Sequence, residues 1–329
     1  MRLALIGDVM LGRLVNDALK TEPPPYPWGN TLHVLKTADF RLCNLETAIT
    51  DKGNPWSATP KVFHFRTDPI NVGVLTAASI SQVCLANNHI LDYEFEGMFQ
   101  TIEILKENGV NFAGAGEDLT AASMPAVSEV KRLKIGLISF TDNEPVWEAT
   151  NERPGVFYVP IDLGDNRTRH LLETVEKARE IVDLLIVSPH WGPNWGYDPP
   201  PEHKYLAHAL LDHGADIVFG HSAHIFRGIE LYKGKPIFYN AGDFVNDYSI
   251  DEMERNDQGF IYILETEDTR VSSITLYPTL IREFQVVLAR EFEAREITEK
   301  MAQLCLDFNT PSLFNPTLQT LEIPITSTA

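Results

Sequence analysis

The sequence predicts an α/β protein, and three observations carry that prediction. Short apolar runs alternate with segments of helical period. Later in the chain the runs lie closer together, with turn residues between them. Most of the runs also stop at a carboxylate, an amide or an imidazole.

In chain order, "RLALIG" reads as a first strand and "ADFRLCNLE" as an alternating strand ending in a carboxylate. "DPINVGVLTAA" suits a helix capped by Asp68, with Pro69 in its first turn. "ISQVCLA" is a strand. "EFEGMFQTIEILKENG" is an amphipathic helix stopped at Gly109. "VNFAGAG" follows as a short strand and turn. The rhythm then repeats: strand "LKIGLISF", helix "NRTRHLLETVEKAREIV", strand "DLLIVSPH", helix "PPEHKYLAHALLDHG" and strand "ADIVFGH". "GIELYKG", "KPIFYNAGD", "GFIYILETE" and "RVSSITLYP" suggest a mostly antiparallel section. "EFEAREITEKMAQLCLDF" is a closing helix. "PPPYPW" and "DPPP" read as surface loops. The chain reads as one domain over residues 1–310, with a Pro- and Thr-rich, loosely held tail over 311–329.

Composition narrows the function. The 329 residues are 44% hydrophobic and 22% charged, enough to bury a core without disulfides or a structural metal. Lys plus Arg number 27 against 46 Asp plus Glu, a formal charge of −19. With no basic block, the surface repels nucleic acid and anionic membranes. Three cysteines, with no C-x-x-C pair, suit a reducing compartment. "MRLALIGD" is too short for a signal peptide or a membrane span. The expectation is a cytoplasmic protein without stable membrane insertion; the composition says little about oligomeric state.

The strand ends carry the chemistry. Asp8 follows "LALIG", Glu46 follows "FRLCNL", and Asn88 and His89 follow "VCLAN". His190 follows "LLIVSP", His221 and His224 follow "DIVFG", and Asp243 follows "IFYNAG". Ligands of α/β sheets bind beyond the carboxyl ends of strands, so six such ends point to one place. Mixed oxygen and nitrogen donors suit one or two ions of Mn, Fe or Zn better than Ca or Mg. Two nearby ions that share a carboxylate would clamp both sides of a displacement.

"GDVMLGR", "NLETAIT", "LANNHILDY", "SPHWGPNW", "GADIVFGHSAH" and "IFYNAGDF" occur in the order of a known family. The chain resembles the CapA (poly-γ-glutamate biosynthesis) family of the calcineurin-like metallophosphoesterase superfamily, over roughly Met1 to Asp247. The resemblance implies a four-layer α/β/β/α sandwich with mixed sheets around a metal site. It implies that Asp8, Glu46, Asn88, His190, His221 and His224 are metal ligands. Glu46 then stands in the place of a bridging aspartate, and His221 and His224 serve one metal each. It also implies that His89 contacts the leaving group or oxyanion, with Asp92 accepting the other ring proton. Two departures are visible. Met10 stands where the superfamily has a histidine ligand, and "GHSAH" spaces its histidines by two residues where the superfamily has one.

Each residue also has a plainer reading. Asn88 or Asn87 would cap a helix, and Asp243 would stand in the ligand shell against substrate or simply form a turn. Arg13 would bind an anionic substrate group or sit in a surface salt bridge. Trp191, Trp195 and Tyr197 would stack on a substrate or simply pack. His203, His208 and His213 repeat at helical spacing and are read as structural.

The functional expectation is a metal-dependent hydrolase or phosphoesterase acting on a small-molecule, peptide or γ-glutamyl substrate. Two alternatives keep the same residues. One is an acid–base enzyme on a peptide or γ-glutamyl substrate that leans little on metal. The other is a non-catalytic subunit of polymer biosynthesis.

Overall fold

A computed structural model describes residues 1–325. Two large sheets form its centre. Across the ten-stranded sheet the main path runs Leu313–Asn315, Thr320–Pro324, Arg270–Arg282, Gln258–Glu267, Arg2–Val9, Phe40–Leu45, Gln82–Cys84 and Asn111–Ala113. The last four of these are mutually parallel. Across the six-stranded sheet the order is Ile229–Tyr232, Lys235–Phe238, Ile217–Phe219, Leu184–His190, Leu133–Thr141 and Ala126–Val130.

Strand alternation explains the layering, because successive side chains point to opposite faces. Leu3 and Leu5 lie in one apolar core; Ala4 and Ile6 lie in another. Leu184 and Ile186 join Leu3 and Leu5, while Leu185 and Val187 turn to a third core. The shared core therefore lies between the two sheets. The second is covered by the Val72–Ala77 and Glu94–Glu107 helices and the third by the Asn166–Arg179 and Pro201–Asp212 helices. The result is an α/β/β/α sandwich with mixed sheets. The Glu291–Leu306 helix sends Ala294, Ile297 and Met301 into the shared core.

Three local readings change. The tail is not loose over its described part. Leu321 pairs with Leu276 and Ile323 with Ile274, and both side chains are buried. Leu321, Glu322 and Ile323 alternate apolar and polar, a strand signal masked by the Pro and Thr around it. Residues 326–329 lie outside the described residues. Asp68 makes no side-chain cap; Pro69–Asn71 is a 3-10 turn leading into the Val72–Ala77 helix. The "PPPYPW" loop is anchored, because Trp28 is buried and its indole N–H donates to the Val74 carbonyl at 2.7 Å.

Candidate functional site

The parallel strands of both sheets end on the same side, and their last residues meet. Asp8 ends the apolar run of Arg2–Val9 and pairs in register with Asp243. That approach needs glycine. A Cβ on Gly7 would lie 1.8 Å from the Gly242 carbonyl oxygen, which accepts from the Asp8 N–H at 3.1 Å. Gly242 itself sits at φ +76°, in the left-handed region. His190 forms an isolated parallel bridge to His221 in the second sheet. Ser222 and His224 both hold positive φ, at 109° and 62°, although neither is glycine. Such strain persists where surrounding structure imposes it, commonly at functional sites. Here the turn delivers the Ser222 N–H to Asp8 Oδ2 (3.3 Å) and His224 Nδ1 to Asp243 Oδ1 (3.0 Å).

Two groups of potential ligand atoms result, each with all members within 4.8 Å of one another. One comprises Asp8, His190 and His221. The other comprises Asp8, Glu46, His224 and Asp243. The shared carboxylate is thus Asp8. Glu46, expected at the bridging place, belongs to one group, and Asp243, expected at a turn or against substrate, is brought into that same group. His221 and His224 fall in different groups. Met10 is buried with its sulfur accepting from the Gly12 N–H at 3.1 Å, so the thioether is spent on the backbone.

The donor set fits a cation on three counts. Both oxygens of Glu46 are buried without a hydrogen-bond partner, at 1% exposure for the residue. Buried carboxylates are ordinarily satisfied, so these call for a positive ligand. Second, burial, with the Asp243 carboxylate adding to it, pushes the Asp8 carboxyl up to about 7. Burial and Asp8 push Glu46 well above its ordinary value, and burial raises Asp243. Burial opposes the charge on His224, but Asp243, Glu46 and Asp8 outweigh it and hold the imidazolium up to about 10.

The third count is the tautomers. Ser188 Oγ donates to the Phe219 carbonyl (2.7 Å), so it accepts from His221 Nε2 at 3.1 Å. His190 Nε2 faces Asn88 Oδ1 at 3.1 Å, and the Asn44 amide N–H points at His190 Nδ1 from 3.4 Å. Each ring therefore keeps its proton on Nε2. The two Nδ1 lone pairs face each other 2.8 Å apart, with Asp8 Oδ1 3.8 Å from that of His221. Burial holds His190 well below its ordinary range and His221 near 3, so a shared proton is disfavoured and a cation would relieve the repulsion. In this arrangement Asn88, expected as a ligand, has its side-chain oxygen on the His190 ring nitrogen.

Beside these groups, His89 Nδ1 lies 2.5 Å from Asp92 Oδ2, and its Nε2 points toward Glu46 Oε1 at 4.0 Å. Phe65 stacks on the imidazole with centroids 3.9 Å apart. Burial outweighs Asp92 and lowers the His89 pKa. Arg13 pairs with Asp247 (3.2 Å) and sits 5.7 Å from the Phe63 and Phe65 rings at the mouth.

Trp191 is a correction. It is 0% exposed, donates to the Tyr239 carbonyl (2.9 Å) and stacks on His203 in the helix-side core. It follows the last residue of the Leu184–His190 strand, and its indole turns away from solvent. Trp195 is the aromatic beside the site, 5.7 Å from His224 and 38% exposed. Buried Arg227 holds its loop by donating to the carbonyls of Pro193, Trp195 and Gly196. Trp191→Ala is expected to cost about 3–5 kcal/mol of stability, whereas Trp195→Ala should barely move Tm. Calorimetry giving equal Tm values for the two variants would contradict this placement.

Sequence reasoning missed Asn44, Lys61 and Tyr248. Asn44 donates to Asp8 Oδ1 at 2.8 Å and lies inside an apolar strand, where its alternation was the available signal. The Tyr248 hydroxyl is buried without a partner, and its ring packs against His224 and Phe65. Lys61 had no pattern to mark it.

Residues 2–248 match the family model described as "Bacterial capsule synthesis protein PGA_cap". The chain belongs to the PGA_cap family. Within reach of this PGA_cap chain, a Mycobacterium tuberculosis protein named "Probable polyglutamine synthesis accessory protein" is 37% identical over 298 residues, covering 86% of this chain and 77% of the relative. "Capsule biosynthesis protein CapA" of Bacillus anthracis is 31% identical over 74% of this chain and 59% of its own length. "PGA biosynthesis protein CapA" of Bacillus subtilis is 29% identical over 74% of this chain and 63% of its own. Among the described residues of this PGA_cap member, no helix is long and apolar enough to cross a membrane.

Proposed function

We propose that this PGA_cap protein is a metal-dependent hydrolase of phosphoester or γ-glutamyl bonds connected with poly-glutamate capsule synthesis. The observation that carries the reading is Asp8 shared between two ligand groups, one of which includes the doubly unpartnered Glu46. Asp8, His190 and His221 would hold one divalent ion, and Asp8, Glu46, His224 and Asp243 a second. Bound there, such ions supply Lewis acidity and a lowered water pKa.

The chain's own residues do the rest. Asn44, Ser188 and Asn88 fix the orientation of Asp8, His221 and His190 before any ligand arrives. His89, its Nδ1 committed to Asp92, moves a proton at Nε2, toward the leaving group. Arg13 and Trp195 meet the substrate at the mouth, Arg13 through an anionic group such as a carboxylate.

The test starts with the purified protein and no added metal. Elemental analysis should find Mn, Fe or Zn at up to two equivalents. Because Asp8 is held near 7 and Glu46 and Asp243 are raised in the metal-free site, uptake must release protons. His224, a member of the second group, holds its own proton up to about 10, so affinity should rise with pH through about 7, continue rising toward 10, and fall as pH drops below 7. Calorimetric titration of Mn in buffers of different ionisation enthalpy reads this directly. Turnover of p-nitrophenyl phosphate or a γ-glutamyl anilide should then vanish with chelator. No metal uptake at any pH, or turnover indifferent to chelation, would favour the His89–Asp92 pair acting alone.

A further inference from the structure

The segment between Thr50 and Arg66 carries almost no regular structure, yet it crosses the site. Long irregular connections inside compact domains are usually functional. Its tip is solvated, with Val62 85% and Phe63 57% exposed. Its inner side is not. Trp56 N–H donates to the Asp92 carbonyl at 2.8 Å, and Phe65 N–H donates to Asp92 Oδ2 at 2.6 Å.

Between these lies Lys61, with a side chain only 7% exposed. Its ammonium donates to the Asn88 carbonyl (2.6 Å) and to Glu144 Oε1 (3.1 Å), and lies 3.5 Å from Asp92 Oδ1. Two of its three N–H groups are thus hydrogen-bonded, and Asp92 Oδ1, buried without a hydrogen-bond partner, meets the ammonium as an ion pair. The Trp147 ring lies 4.9 Å beneath it, and Trp147 meets Trp56 edge-on. Asn88 and Asp92 follow a strand of the ten-stranded sheet. Glu144 follows the Leu133–Thr141 strand of the other sheet and sits at φ +51°. One side chain thus joins the crossing segment to both sheets. Burying a lysine is costly in solvation and in side-chain entropy. An apolar residue would anchor a loop more cheaply, so the charge has a task at Asp92.

We propose that Lys61 is a positioning residue that locks the Asp51–Phe65 segment across the two sheets and so fixes the His89–Asp92 pair. Asp92 Oδ2 is shared by His89 Nδ1 and the Phe65 N–H, so its rotation would release both. Lys61 at Oδ1 opposes that rotation, keeps Phe65 flat on His89, and leaves Nε2 aimed into the site. The inference rests on the proton-transfer role proposed above for His89.

The experiment compares full-length wild type, Lys61→Met, Lys61→Arg and Glu144→Gln. Hydrogen exchange should speed up about tenfold in peptides covering residues 51–65 and 88–93 of Lys61→Met. The downfield proton signal of the His89–Asp92 hydrogen bond should broaden or vanish, and metal content should stay at the wild-type value. The kcat should fall about tenfold or more with KM changed less, because misplacement of a catalytic group acts on the reacting geometry. Lys61→Arg should recover part of the exchange protection. Unchanged exchange and an unchanged His89 signal in Lys61→Met would overturn the proposal. If Lys61→Met does not fold, Glu144→Gln decides by the same two readouts, since it keeps the lysine, its hydrogen bond to the Asn88 carbonyl and its ion pair with Asp92 while removing the Glu144 charge. If wild type turns over no substrate, the hydrolase reading fails, while exchange and the proton signal still decide the lock.

Discussion

Asp8→Asn is expected to empty both metal positions at once and to abolish metal-dependent turnover, by on the order of a thousandfold or more. The reason is membership: Asp8 is the one side chain common to the two ligand groups. His221→Ala should remove one ion and leave the other, and His224→Ala the reverse. Elemental analysis of the three variants checks this ordering. Loss of a single ion in Asp8→Asn would show that the carboxylate is not shared. The same substitution should stabilise the metal-free protein. Asp8 is held near 7 by burial and by Asp243, above its ordinary 3.8. A carboxyl whose folded pKa is raised contributes stability below its unfolded pKa and loses it as pH rises through the folded one. Between about pH 4 and 7, metal-free wild type should therefore lose stability on the order of a few kcal/mol from this group. The asparagine variant should not. Thermal melts at pH 5 and pH 8, with chelator present, would show wild type falling further than the variant.

His89→Ala is expected to lower kcat by about 10²- to 10⁴-fold, the usual range for a positioned acid or base. Metal content should not change, because His89 belongs to neither ligand group. That separation distinguishes it from Asp8→Asn, in which activity and metal fall together. Asp92→Asn should cost less than His89→Ala. It keeps an acceptor for Phe65 N–H but weakens the orientation of the ring and removes the charge that faces Lys61. A His89→Ala protein with full turnover would remove His89 from the chemistry and leave the ligand groups intact. Metal loss in that variant would mean that the imidazole is a ligand.

The strand ends were legible because the apolar runs stop at polar residues, and in an α/β sheet that edge has one direction. Asp8, Glu46, His190, His221 and His224 could be named from that pattern, and the four layers followed from the family resemblance. The Leu321–Ile323 strand was hidden because Pro- and Thr-rich composition dominates so short an alternation. Trp191 was misplaced because its neighbours in sequence, His190 and Gly192, say nothing of which way an indole turns.

What the sequence by itself determined is the set of donors and the edge of the sheet on which each stands, since side-chain chemistry and strand alternation are local. Tertiary structure decided how those donors are grouped. Asp8 became the carboxylate common to both groups, with Asp243 beside it in one of them, because Gly7 lets the first strand lie against Gly242. Asn88 came to lie against His190, because two strands of different sheets end beside each other. Lys61 reached Asp92 and Glu144 from a segment without periodicity. Distances between residues far apart in the chain depend on how two twisted sheets pack, and no local pattern encodes that packing.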